Sequence, residues 1–196
     1  RRDALATDAD ADAPLFESTQ LFVCQVLAVL RYAASKMTAD YRLWSLLGTH
    51  YERVAPSTAP VQQRVVCLTR AVDARQRALR SAEASLKDWQ RDAAHYAVVA
   101  QCALDVARAY LALNELDTSN PPTTAAVAPA SVANNASGAR RDWFSELELS
   151  PVDLPPLSSA RLKLSALVRR GKELFSQTKE YAQLQPTIEQ LKNIKK

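Results

Sequence analysis

Histidine and cysteine are the side chains most often used for catalysis or metal binding, and this 196-residue sequence has two histidines and three cysteines. Neither His50 nor His95 lies in a recognisable hydrolytic or metal-binding motif. His95 and Cys102 are seven residues apart and share one helix face, but no third or fourth ligand can be assigned to them. We interpret Cys102 as a small buried thiol and predict no metal and no cofactor.

Carboxylates at helical spacing are a second possible source of chemistry. Asp88 and Asp92 are one helical turn apart, and general acid–base catalysis needs two carboxyls held in different environments. Lys87 and Arg91 lie beside them in a densely charged stretch, which favours ordinary ionised side chains on a solvated face. No nucleophile, base and orienting residue can be named together, so we predict that the protein is not an enzyme.

Glycine placement bears on nucleotide binding. The three glycines, Gly48, Gly138 and Gly171, are widely scattered. A phosphate-cradling loop or a dinucleotide fingerprint needs two or three glycines within a few residues. Nucleotide-binding α/β folds are therefore disfavoured.

Cationic side chains could bind phosphates in two regions. The first is a group of arginines in one helical stretch: Arg70, Arg75, Arg77 and Arg80. Asp73 lies at helical contact spacing from Arg77, and Glu83 lies at such spacing from Arg80. Ion pairs within the helix should therefore neutralise part of this charge. The second is a basic stripe near the C-terminus, in which Arg161, Lys172 and Lys179 fall close to one line on the helix and Arg169 lies beside that line. That line could contact RNA, anionic lipid or an acidic protein surface, or it could be a solvated flank.

Large apolar side chains give the strongest interaction signal. Trp143 and Phe144 follow a low-complexity stretch and belong to an aromatic and acidic segment, residues 143–149, that also contains Leu147 and Leu149. Burying each ring is worth about 2 to 3 kcal/mol, so both should be covered. They could fold back onto the chain's own helices or dock on another subunit. Leu167 and Leu174, in the apolar stripe of the last helix, are further candidate partner contacts.

Two long helices are predicted to position most of these residues. Apolar residues recur in steps of three and four over 18–54, and a similar stripe continues over 60–116 with an interruption at Arg75. We predict a coiled-coil-like antiparallel hairpin over 15–116. Residues 1–14, which have almost no large apolar side chains, are predicted to be a flexible acidic arm.

The C-terminal third is predicted to contain a linker and one more helix. Residues 117–157 are rich in Pro, Ala and Ser and include the aromatic segment. Residues 158–196 are predicted to form a basic helix that Pro186 kinks or restarts. The fold class is therefore all-α, with a third helix that could complete a three-helix bundle.

Membrane and compartment signals are weak. The most apolar run, 21–34, is too short to span a bilayer and contains Arg31, so we predict no transmembrane segment. An odd number of cysteines without metal spacing fits a reducing intracellular compartment. A chain that begins at Arg1 fits removal of a mitochondrial transit peptide as well as a simple fragment boundary, so mitochondrial and cytoplasmic locations both stay open.

The function we predict is non-catalytic. Unequal helices and an aromatic segment leave apolar surface without an internal partner, which is typical of a structural subunit or adaptor in a multiprotein assembly. The alternative is an RNA-associated accessory subunit of a ribonucleoprotein, such as a mitochondrial ribosome, that uses the basic C-terminal helix.

Overall fold

The computed structural model describes residues 13–54, 61–119 and 152–194, and within these ranges every regular element is a helix. The all-α prediction is therefore confirmed. The described helices are α1 (Ala13–Lys36), α2 (Tyr41–Val54), α3 (Val61–Ser85), α4 (Ala93–Ser119), α5 (Leu157–Leu174) and α6 (Lys179–Lys192). Apart from the start of α1 at Ala13, the predicted acidic arm lies outside these ranges, as does most of the predicted linker.

The first predicted long helix, 18–54, is instead two helices. The chain turns at 37–40, where Asp40 Oδ1 accepts hydrogen bonds from the backbone N–H groups of Arg42 at 2.9 Å and Leu43 at 3.4 Å. A side chain that accepts from the first N–H groups of a helix favours a new start over continuation. Ser81 donates to the Thr38 carbonyl and thereby ties this turn to α3.

The second predicted long helix, 60–116, is also divided. Residues 86–92 form a turn, and Asp92 Oδ1 accepts from the backbone N–H of His95 at 2.8 Å at the start of α4. The division lets α3 and α4 pack side by side in opposite directions, with Gln76 donating to the Tyr110 hydroxyl at 2.9 Å. The long hairpin is thus replaced by two shorter ones that share α3.

The predicted C-terminal helix is divided at 175–178 and not at Pro186. Thr178 caps α6 by accepting from the Tyr181 N–H, whereas Pro186 lies within α6 on its exposed side. Near Pro186, the Thr187 hydroxyl donates to the Gln183 carbonyl at 2.7 Å. The division lets α5 and α6 form an antiparallel pair against α4.

Two apolar cores meet at α3, which contributes buried side chains to both. The smaller core joins α1, α2 and α3 through side chains that include Leu27, Leu47 and Tyr51. The larger core contains side chains of α3, α4, α5 and α6, and α4 lies at its centre. Because α4 contributes small side chains on several faces, α3, α5 and α6 can all approach it closely.

Helix α4 is the one described helix that is long and apolar enough, by length and composition alone, to cross a membrane. More than half of that segment, 56%, is buried against the neighbouring helices. The core helix of a soluble protein passes the same test of length and composition, so this feature is weak evidence for a membrane span. The sequence names 21–34 as its most apolar run, whereas the helix that meets this test in the structure is α4.

Candidate functional site

The outer face of α1 carries large apolar side chains that no other described helix covers. Phe22 is 64% exposed, and Val29 and Tyr32 are each 67% exposed. Phe22 and Val29 are seven residues apart, so they lie on one line along the helix, with Tyr32 one turn further. We call these three side chains the α1 outer face.

The opposite side of α1 holds the helix on the rest of the molecule. Leu27 and Ala34, also seven residues apart, are fully buried in the smaller core. Residues 21–30 contain no charged side chain. A helix that is apolar on all sides is normally buried all round, whereas the described helices cover only one side of α1.

Sequence reasoning missed the α1 outer face although a signal was present. The apolar pattern over 18–54 predicts a single seam, which passes through Val23, Leu27 and Leu30 in this helix. Phe22 and Val29 form a second apolar line beside it. Two apolar lines on one helix indicate two covered sides, and only one of them has a partner within the described residues.

The two leucines predicted to contact a partner lie in different surroundings. Leu167 is 1% exposed in the larger core, and its carbonyl accepts from the Tyr96 hydroxyl at 2.9 Å. Leu167 thus packs inside the chain, whereas a contact with a partner would require its side chain to be exposed. Leu174, at the C-terminal end of α5, is 66% exposed.

The four predicted basic contact residues do not form one open stripe. Arg161 is half-buried, and its guanidinium donates to the Leu191 carbonyl in α6, so it supports the pairing of α5 with α6. Its Nε is buried without a partner among the described residues. Arg169 and Lys172 are exposed on α5, and Lys179 is exposed at the start of α6 with its ammonium 3.7 Å from Glu180. The aromatic segment, including Trp143, Phe144, Leu147 and Leu149, lies outside the described residues.

Arg75 forms the most connected charge cluster of the described residues. Its guanidinium donates to both carboxylate oxygens of Glu52 in α2, each at 2.8 Å, and lies 3.2 Å from Asp105 in α4. Burial would lower the pKa of Arg75, but the hydrogen bonds and charges of Glu52 and then Asp105 outweigh this and raise it. Arg75 thus joins three helices as a permanent cation. The interruption of the apolar stripe at this residue was its sequence signal.

Two buried cysteines and Asp92 have structural roles in the described residues. Burial raises the pKa of the Cys67 thiol to about 12 and that of Cys102 to about 11, so both remain protonated near neutral pH and are poor nucleophiles. Asp92 caps α4, and the donation from the His95 N–H lowers its pKa. No group of three or more His, Cys, Asp or Glu that could hold a metal ion occurs in the part of the chain that the structure describes.

Comparison of the chain with models of known protein families, with curated proteins and with solved structures gives no match.

Proposed function

We propose that this chain is a non-catalytic α-helical subunit or adaptor that binds another protein through the α1 outer face. The proposal rests on one observation. One side of α1 is fully buried, whereas Phe22 and Val29 on its outer face are about two-thirds exposed. Scattered exposed apolar residues are ordinary, but aligned ones on an uncharged stretch of helix, here residues 21–30, are typical of an interaction surface.

The chemistry of this face favours an apolar helix as its occupant. Because residues 21–30 carry no charge, the part of the face around Phe22 and Val29 offers no ion pairs to a polar loop or to a nucleic-acid backbone. A partner helix with apolar side chains at matching spacing would pack Phe22 and Val29 between its own ridges. Lys36 lies over the Tyr32 ring at the end of this line, where an acidic side chain of the partner would find a cation.

A cross-link followed by titration tests this proposal. A photo-crosslinking residue placed at position 29 of the full chain identifies the protein that covers α1 in cells. That protein is then purified, and its affinity for the chain is measured by titration. We expect Val29→Glu to weaken its affinity at least about tenfold, because it places a charge in a dehydrated apolar contact. Leu162→Glu is the matched control, since Leu162 is 70% exposed on α5.

Two results would overturn the proposal. One is equal affinity of the wild-type chain and the Val29→Glu variant while both remain equally helical. The other is a stable homodimer, measured by light scattering, that Val29→Glu converts to a monomer, because a second copy would then occupy the face.

The alternative function, an RNA-associated accessory subunit, is supported by the exposure of Arg169 and Lys172 on α5. It predicts RNA binding that falls steeply between low and physiological salt and that persists in the Val29→Glu variant. That result would make the ribonucleoprotein hypothesis the better one.

A further inference from the structure

A groove lies near the C-terminal end of α4, between α3, the start of α5 and the residues that follow α6. Its volume is about 350 Å³. We call it the α4-end groove. Its wall includes four apolar residues and two residues with hydroxyl groups, which are Val65, Leu113, Leu157, Ile194, Thr69 and Tyr110.

The wall of the α4-end groove favours an apolar occupant. Its four apolar residues are each half-buried, so each still has apolar surface that an occupant would remove from water. None of the described lining residues carries a charge. The two hydroxyls are already used, because Thr69 donates to the Val66 carbonyl at 2.9 Å and Tyr110 donates to the Pro155 carbonyl at 2.6 Å.

The groove borders the larger core without being part of it. Leu157 and Ile194 pack against that core, whereas Val65 and Leu113 belong to neither apolar core. A substitution at Val65 or Leu113 can therefore change the groove without removing a side chain from either core.

The stretch 120–151, which lies outside the described residues, is connected to the rest of the chain at both borders of this groove. On one side, α4 contributes Leu113 to the groove wall and ends six residues later at Ser119. On the other side, Pro155 accepts the hydrogen bond from Tyr110, and Leu157 lines the groove. The stretch therefore leaves and returns beside the same apolar surface.

Segment 143–149 of this stretch carries the side chains that suit the groove. It contains Trp143, Phe144, Leu147 and Leu149. Phe144 is 11 residues before Pro155, and a chain of that length extends up to about 35 Å, so both rings can reach the groove. A segment attached through a short connection acts at an effective concentration of about millimolar, which favours it over a separate partner of similar affinity.

Arg161 gives a second reason to expect an acidic segment here. It lies one turn after Leu157 on α5, and its guanidinium donates to the Leu191 carbonyl, three residues before Ile194. Its Nε is buried without a partner among the described residues. Segment 143–149 also carries two glutamates, and carboxylates are strong acceptors for a guanidinium.

We propose that the α4-end groove binds the chain's own segment 143–149, with the rings of Trp143 and Phe144 between its apolar walls. The two rings are then covered within the chain and not by another subunit. This contact goes beyond the proposed function, because it uses no residue of α1. Val29→Glu should therefore leave it unchanged.

Fluorine NMR of the full chain labelled with 5-fluorotryptophan tests the proposal. The label gives one ¹⁹F signal for each of the three tryptophans, and Trp143→Phe identifies the signal of Trp143. We expect this signal to differ from that of a synthetic peptide of residues 141–151, and to shift less between H₂O and D₂O, because a covered ring contacts less solvent. Leu113→Glu should move it to the peptide value, because the substitution places a charge in an apolar contact.

Leu46→Glu is the matched control. It makes the same substitution at a residue of α2 that is 46% exposed and does not line the groove. We expect this variant to keep the wild-type Trp143 signal. Three results would overturn the proposal: a wild-type signal equal to that of the peptide, an equal shift in both variants, or a covered signal that is lost on dilution. The last result would mean that a second copy of the chain supplies the contact.

A measurement on the segment covers the case in which Leu113→Glu unfolds. The double variant Trp143→Ala, Phe144→Ala keeps every wall residue of the groove and should leave the groove empty. We expect the labelled peptide 141–151 to bind this variant at least several-fold more tightly than it binds the wild-type chain, in which the attached segment competes. Equal binding to the two chains, or no binding at about millimolar peptide, would also contradict the proposal.

Discussion

Gly171 shows how one missing side chain sets the distance between α4 and α5. A Cβ at this residue would lie far inside van der Waals contact of the Tyr96 hydroxyl and 2.7 Å from its ring carbon Cζ. Tyr96 is fully buried, donates to the Leu167 carbonyl and stacks on Phe175 with ring centres 4.4 Å apart. The ring has little freedom to move, so the glycine is required by close approach.

The substitution Gly171→Ala tests this requirement, because the sign of its effect on the free energy of unfolding shows whether a Cβ fits. In a helix interior that accommodates a Cβ, this substitution is normally stabilising by up to about 1 kcal/mol. Here we expect the free energy of unfolding to fall by about 1 to 3 kcal/mol, because the methyl group overpacks the Tyr96 ring. Urea denaturation measures the change.

A double variant checks that Tyr96 is the cause. In Tyr96→Leu the ring and its hydroxyl are absent, so adding Gly171→Ala should cost less than it does in the wild-type chain. A purely additive pair, or a stabilising Gly171→Ala, would show that α5 does not approach α4 as closely as described.

At the residue scale, the sequence predicted the chemical character of a side chain better than it predicted which residues would surround that side chain. Arg75 was correctly identified as an interruption of an apolar stripe, but its partners Glu52 and Asp105 lie on other helices, and no spacing within α3 could identify them. Leu167 and Leu174 belonged to one apolar stripe in the sequence. Leu167 is buried and Leu174, the last residue of α5, is exposed, because at the end of α5 it is the next residue, Phe175, that packs on Tyr96.

At the element scale, the apolar spacing predicted helices but not where they turn. A stripe with steps of three and four continues through 86–92 because α3 and α4 both bury apolar residues at that spacing. Two antiparallel helices joined by a short turn and one long helix therefore give the same pattern. The capping residues Asp40 and Asp92 were the local signals of division, since an aspartate at the start of a helix satisfies its first N–H groups.

The Asp92 cap predicts a specific acid sensitivity of α4. Its carboxyl has a lowered pKa in the folded chain, so the ionised cap contributes stability above the unfolded-state pKa, about 3.9, and loses it as pH falls through the folded value. Asp92→Asn keeps a capping oxygen but cannot titrate. We therefore expect this variant to lose less stability than the wild-type chain between about pH 5 and pH 2.

Asp88→Asn is the matched control for this measurement. Asp88 lies in the same turn, where its backbone carbonyl accepts from the N–H groups of Arg91 and Asp92. In denaturant titrations we expect a larger change of the pH profile in Asp92→Asn than in this control, because the Asp92 carboxylate accepts from a backbone N–H at the start of α4. If both variants change the profile equally, the effect comes from the charge of the turn and not from the cap.

At the scale of the whole molecule, the larger core joins two stretches of chain that are distant in sequence. Leu164, Leu184 and Leu191 are fully buried with side chains of α3 and α4. The pairing of these stretches was left open by the sequence, because an apolar stripe indicates that a helix is covered but not by which neighbour.

A single cut in the chain tests how firmly the two stretches hold together. The sequence predicts that trypsin cleaves first at Arg140 or Arg141, within the low-complexity stretch. We expect the two fragments to remain associated and to co-elute in size-exclusion chromatography, because separation would expose the apolar side chains shared by α4, α5 and α6.

A core variant makes this measurement decisive. Leu184→Asp places a charge in the larger core, so its fragments should separate after the same cut. Separation of the wild-type fragments under native conditions would mean that α5 and α6 are held to α4 mainly by the intervening chain.

The position of α4 between its neighbours has a consequence during synthesis on the ribosome. Helices α1 to α3 can pair as they emerge, but α5 and α6, which cover much of α4, are completed only at Lys192. At about 5 to 20 residues per second, the ribosome needs roughly 4 to 15 seconds to translate the chain from Ser119 to that point. During this interval the apolar side of α4 faces solvent, and the nascent chain is expected to need a chaperone there before its own C-terminal helices arrive.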